Sequence, residues 1–126
     1  MKNLKKAYFI AAPRADVWQA LTNPLTLELW TGEPAVISLE PGSEFSLWNE
    51  SIVGRIISAE PEHKLVQEWY FGEQEEASVV TFSLTDKGEG TSVELLHTNI
   101  PDEDFKDIID GWDDSWFGAL KEFYRD

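Results

Sequence analysis

Residues 101–126 read PDEDFKDIIDGWDDSWFGALKEFYRD, with apolar side chains at Phe105, Ile108, Ile109, Trp112, Trp116, Ala119, Leu120 and Phe123. Counted from Phe105, the offsets are 0, 3, 4, 7, 11, 14, 15 and 18, one stripe along a single α-helix. A stripe this rich in tryptophan needs a second apolar surface to cover it. Strand-like segments precede it, so the helix is expected to lie across a sheet. A late helix closing over a curved antiparallel sheet is one way to build a ligand cavity. Asp102 or Asp104 would cap the helix start, and Lys121 and Arg125 lie near its end, as the helix dipole prefers. Gly111 and Gly118 are spaced seven apart and are expected to point the same way. Each costs roughly 0.5–1 kcal/mol relative to alanine, so a kink, a tight helix–sheet contact or an approaching ligand should account for them.

The segments upstream supply the sheet. Ala7–Ala11 reads as a first strand, and Pro13 opens a short helix with Val17, Trp18 and Leu21 on its apolar side. Asn23-Pro24 breaks it, and Leu25, Leu27, Leu29 and Trp30 predict a second short helix ending near Gly32. Strand signals follow at Ala35–Leu39, Glu44–Trp48, Ile52–Ala59, Leu65–Phe71, Ser78–Thr85 and Thr91–Thr98. Turns are expected at Glu40–Gly42, Asn49-Glu50, Glu60–His63 and Asp86–Gly90, and Gly54 is expected to mark a bulge. Alternation places Phe45 and Leu47 opposite Ser46 and Trp48, and Val80, Phe82 and Leu84 opposite Val79, Thr81 and Ser83. One-sided alternation belongs to an antiparallel sheet with one wet face. The class is α+β, with residues 1–126 forming one domain.

Composition narrows the function. The 126 residues contain no cysteine, which removes thiol catalysis, disulfides and cysteine-based zinc sites. The formal net charge of −14 repels phosphate backbones and anionic membrane surfaces, so neither nucleic acid nor membrane is an expected partner. Near the N-terminus, Lys2, Lys5 and Lys6 precede a short apolar run, Ala7 to Ala12. That run is below the ~7–15 residues of a secretory core and the ~20 of a membrane span, so a cytoplasmic protein is expected. Asp102, Glu103, Asp104, Asp107, Asp110, Asp113 and Asp114 crowd the first half of the last helix. They solvate that face and would steer a basic partner towards it.

Several motifs together resemble the START-like helix-grip superfamily. They include Ala12-Pro13 through Val17-Trp18 and Ala20-Leu21, Leu29-Trp30, and Pro41-Gly42-Ser43-Glu44-Phe45. Val53-Gly54-Arg55-Ile56, Pro61-Glu62-His63-Lys64-Leu65-Val66 through Trp69 to Phe71, and Ile100-Pro101 with Gly111-Trp112, Trp116 and Leu120 complete the set. Within that superfamily the chain is similar to the C-terminal-domain-like family of the activator of heat-shock protein 90 ATPase. The resemblance spans nearly the whole chain. It implies a curved antiparallel sheet of about six to seven strands wrapped around a long C-terminal helix, with two short helices after strand one. It also implies a central cavity with the helix as one wall, and a possible chaperone partner. The co-chaperones that name the family carry a separate N-terminal domain, whereas this chain is expected to begin directly at the C-terminal-type domain.

No catalytic constellation is visible: there is no phosphate-binding glycine loop, no HExxH and no nucleophile elbow. The aspartate-rich stretch lacks calcium-loop spacing, and Asp110, Asp113 and Asp114 are expected on the polar side of the helix. No metal, cofactor or catalytic residue is therefore assigned. His63 lies in a turn. His97 shares parity with Val93 and Leu95 and faces inward, either held by a hydrogen bond or free to meet a ligand. The expected cavity lining is Trp30, Phe45, Trp48, Gln67, Trp69, Phe82, His97, Trp112 and Trp116. These residues form either a pocket with few polar anchors, which would hold a small hydrophobic ligand, or a packed aromatic core. A non-enzymatic ligand binder, a single-domain co-chaperone-like module and a cyclase- or hydrolase-like cavity enzyme using His97 are the three functional expectations.

Overall fold

A computed structural model describes residues 2–48, 52–70 and 77–124. Six strands form one antiparallel sheet: β1 (Lys2–Ile10), β2 (Glu44–Leu47), β3 (Ile52–Glu60), β4 (Lys64–Trp69), β5 (Ser78–Lys87) and β6 (Gly90–Ile100). Their order across the sheet is β1-β6-β5-β4-β3-β2. Consecutive strands from β2 to β6 are neighbours, and β1 returns to pair with β6. Alternation carries the core: Val80, Phe82, Val93, Leu95 and Ile56 are all fully buried on the concave face.

Helices α1 (Arg14–Thr22) and α2 (Pro24–Thr31) fill the connection between β1 and β2. Asn23 separates them by accepting hydrogen bonds from the Leu25 and Thr26 amides, a cap worth about 1 kcal/mol. Gly32 ends α2 at φ +79°, a left-handed conformation that costs glycine nothing. The Trp30 Nε1–H donates to the Ala20 carbonyl at 2.8 Å, pinning α2 to α1. Leu27 and Trp30 turn inward, whereas Leu25 and Leu29 stay exposed.

The upstream expectations need several corrections. The first strand begins at Lys2 rather than Ala7, because Lys2, Leu4, Lys5 and Lys6 pair along β6 and Leu4 is buried. Ala35–Leu39 is not a strand; Val36 makes only an isolated bridge to Ser46. Gly54 is not a bulge, since it pairs regularly with Phe45 and Trp69. It is glycine because a Cβ there would run into the Glu68 carbonyl oxygen and the Phe45 ring. The register shift in β3 falls between Ile56 and Ser58 instead. Asn49-Glu50, Phe71 and Arg125 lie outside the described residues.

The C-terminal segment is helical throughout but is not one regular α-helix. A 3₁₀ turn, Asp102–Asp104, leads into α3 (Phe105–Asp110), a π turn (Gly111–Trp116) and α4 (Phe117–Phe123). Asp104 makes no capping bond, and the opening turn is closed by backbone bonds from the Asp104 amide to Pro101 and from the Phe105 amide to Asp102. In the π turn the Phe117 amide reaches back five residues to the Trp112 carbonyl. One extra residue per turn slips the apolar stripe by one position. Phe117, outside the periodic stripe, is therefore fully buried, whereas Phe123 is 39% exposed. The two glycines also part company. A Cβ on Gly118 would lie 2.9 Å from the Asp113 carbonyl oxygen, while one on Gly111 would meet nothing within 4 Å.

Candidate functional site

The π turn decides what the helix presents to the sheet. It brings Trp112, Trp116 and Phe117 inward together and rotates Asp113 towards β1. Lys6 Nζ donates to both Asp113 carboxylate oxygens at 2.7 Å, and the Tyr8 hydroxyl donates to Oδ1 at 2.7 Å. Asp113 thus leaves the polar side expected for it and ties the helix to the edge strand. The Lys6 hydrogen bond, then that from Tyr8, hold its carboxyl below the ordinary value of 3.8. Burial, reinforced by Asp113, raises the Tyr8 phenol well above its ordinary value. The Tyr8 ring stacks on Phe117 with centroids 3.8 Å apart and planes 7° from parallel.

Five of the six tryptophans form one cluster centred on Trp116. Its ring lies 5.4 Å from Trp30, 5.3 Å from Trp48, 5.7 Å from Trp69, 5.0 Å from Trp112 and 5.8 Å from Phe82. The Trp116 Nε1–H is buried without a hydrogen-bond acceptor among the described residues. Leaving such a donor unmet costs about 1–3 kcal/mol. Alternation would place Trp48 opposite Phe45, but Trp48 has φ +51°. That left-handed twist at the end of β2 swings its ring over Trp30 and Trp116.

Two other indole N–H groups of the cluster do find acceptors. The Trp69 Nε1–H donates to Gln67 Oε1 at 2.9 Å, and the Trp112 Nε1–H donates to His97 Nδ1 at 3.1 Å. Because Nδ1 accepts, His97 is the neutral tautomer with its proton on Nε2. Burial lowers its pKa from 6.5 to about 4. The ring is fully buried, so His97 is held in place with an indole donating to it. His63 is exposed in its turn, where Nδ1 lies 3.1 Å from the Arg14 guanidinium.

An open cavity of about 380 Å³ lies between the C-terminal helix and the start of β3 and end of β4. Trp48, Trp69, Trp112 and Trp116 form its aromatic wall. Of the other expected lining residues, Trp30, Phe45, Gln67, Phe82 and His97 are at most 7% exposed and lie behind that wall. The cavity is completed by Ile52, Asp107, Ile108, Gly111 and Ser115, which the sequence reading did not assign. Ile108 carried a signal as part of the apolar stripe, and Gly111 as a helical glycine that an approaching ligand would account for. Asp107, Gly111 and Ser115 stand four apart, so they share one helix face.

Comparisons with known proteins agree with this architecture. A crystal structure of an HSP90 activator from Plasmodium falciparum superposes with a TM-score of 0.89 at 24% identity, covering 98% of this chain and 96% of that one. The solution structure of the Aha1 dimer from Colwellia psychrerythraea gives 0.83 at 19% identity, covering 98% and 96%. Both likenesses establish the helix-grip fold. In sequence, the chain is 30% identical over 128 residues to an activator of 90 kDa heat shock protein ATPase homolog from Dictyostelium discoideum. That alignment covers 98% of this chain but 33% of the relative, so the chain spans about a third of the curated relatives it matches. The profile of the family described as "Activator of Hsp90 ATPase homolog 1-like protein" matches residues 11–124, and the chain belongs to that family.

Proposed function

We propose that residues 1–126 act as one non-enzymatic helix-grip unit that binds a small, predominantly apolar ligand between the sheet and the C-terminal helix. The observation that carries this reading is the cavity of about 380 Å³ walled by four indoles, in the lower part of the ~300–1,000 Å³ range of small-molecule sites. The helix supports it by placing Gly111 and Ser115 where larger side chains would fill the space. A hydrolase- or cyclase-like role for His97 is not supported: its Nδ1 is engaged, its ring is sealed and its basicity is depressed. Native mass spectrometry of the purified protein tests the binding reading. A small molecule released on denaturation is expected. An apo mass, together with no binding in a screen of apolar aromatics, would overturn it.

A second reading, a co-chaperone-like module, is favoured by the Dictyostelium relative. Its test is direct addition of the protein to an Hsp90 ATPase assay alongside co-precipitation. Unchanged turnover with no complex would remove it.

A further inference from the structure

The cavity has a charge character that a purely apolar ligand leaves unused. Its lining contains one ionisable side chain, Asp107, and no Lys, Arg or His among the described residues. Asp107 is exposed at the mouth, and Asp110 and Asp114 are exposed on the same helical segment. The two β1 lysines that face this segment are engaged elsewhere, Lys6 with Asp113 and Lys2 over the Phe105 ring at 4.9 Å. Four of the other eight lining residues are tryptophan, the side chain whose face attracts cations most strongly.

We propose that this cavity selects an organic cation, namely an alkylated or quaternary ammonium group carried on an apolar body. The inference rests on the binding reading above and names the ligand class. A carboxylate or phosphate ligand would be repelled by Asp107 and by a chain of net charge −14. A neutral ligand of the same shape would gain the apolar contact but offer no charge to the indole faces or to Asp107. An alkylammonium group satisfies both surfaces: its methyl groups are apolar, its charge lies over indole faces, and Asp107 balances it. A quaternary ammonium has no N–H and so needs no hydrogen-bond acceptor from the wall. The Trp69 and Trp112 N–H groups already have partners, and the Trp116 N–H gains none from the cation. The space is ample. A cavity of ~150 Å³ accepts benzene, and this one is about two and a half times larger.

The test compares benzyltrimethylammonium with neopentylbenzene, its uncharged carbon isostere, by following the tryptophan indole N–H resonances of ¹⁵N-labelled protein. The cation is expected to bind about tenfold more tightly than the isostere. Its N-methyl proton resonance should move upfield from ring currents. Asp107→Asn, an exposed substitution that leaves the core untouched, should reduce the preference at least threefold. Equal or tighter binding of neopentylbenzene would overturn the inference while leaving the apolar-cavity reading intact, as would a preference indifferent to Asp107→Asn. Indole resonances that respond to neither probe would overturn the inference and the cavity reading together.

Discussion

The two ends of the aromatic cluster are both built of packed rings, yet one is closed and the other is open. At the closed end Tyr8, Phe82, Trp112 and Phe117 pack ring on ring. At the open end Trp48, Trp69, Trp112 and Trp116 present their rings to a cavity. The helix makes the difference. It offers Phe117 and Leu120 to the closed end but Gly111 and Ser115 to the open one. The cluster borders open space where the helix turns Gly111 and Ser115 towards it.

The contrast is sharpened most by truncating a ring at the closed end. Phe117→Ala should cost about 3–5 kcal/mol, because Phe117 is fully buried and stacked on Tyr8. Chemical denaturation would measure it. Trp48→Ala, at the half-buried rim, should lose clearly less stability and more ligand affinity. Comparable stability losses would mean that the open end is packed like the core.

Acid tests the closed end next. In the unfolded chain His97 takes a proton near pH 6.5, whereas in the fold it resists until about pH 4. Between those values the unfolded state binds more protons, so stability present above pH 6.5 is lost as the pH falls, by about 3 kcal/mol in all. His97→Asn retains an acceptor near the Nδ1 position and should flatten this part of the profile. Asp113, whose carboxyl is lowered from 3.8, adds its own loss only below that window.

The glycine pair follows. Gly118→Ala would push a Cβ onto the Asp113 carbonyl and should cost about 1–3 kcal/mol. Gly111 has ordinary helical angles, φ −62° and ψ −43°, with open space around it. Gly111→Ala should therefore stabilise the fold by about 0.5–1 kcal/mol while narrowing the cavity and weakening ligand. Matching effects at the two positions would deny the π turn its role. Smallest of all is the difference between the two cavity indoles. Trp112→Phe removes the donor to His97, whereas Trp116→Phe removes an N–H with no acceptor. The first should be more destabilising by about 1 kcal/mol in thermal melts.

Much of this molecule is local in origin. Strand alternation identifies the buried set Val80, Phe82, Leu84, Val93, Leu95 and His97, because a pleated chain must turn every second side chain to the same face. Asn23-Pro24 and Gly32 bound the second short helix by capping chemistry alone. The lateness and greasiness of residues 105–123 require a sheet for them to cover. Ala35–Leu39 had the composition of a strand but lacked a continuous partner beyond one bridge to Ser46, and strand pairing is not a local property.

The site was less legible. Trp48 reaches the cluster through a positive φ that parity cannot foresee. Phe117 enters the core, Asp113 reaches β1, and Gly111 separates from Gly118, all through a single π turn. That turn interrupts a periodicity which reads equally well as an unbroken α-helix. By itself the sequence determined the element order, the inward faces of the strands and the need for a helix over a sheet, because hydrophobic period and capping are written residue by residue. Only the tertiary structure decided which aromatics are wall and which are core. That outcome depends on how the helix is phased against the sheet, and one extra residue in a turn rephases everything after it.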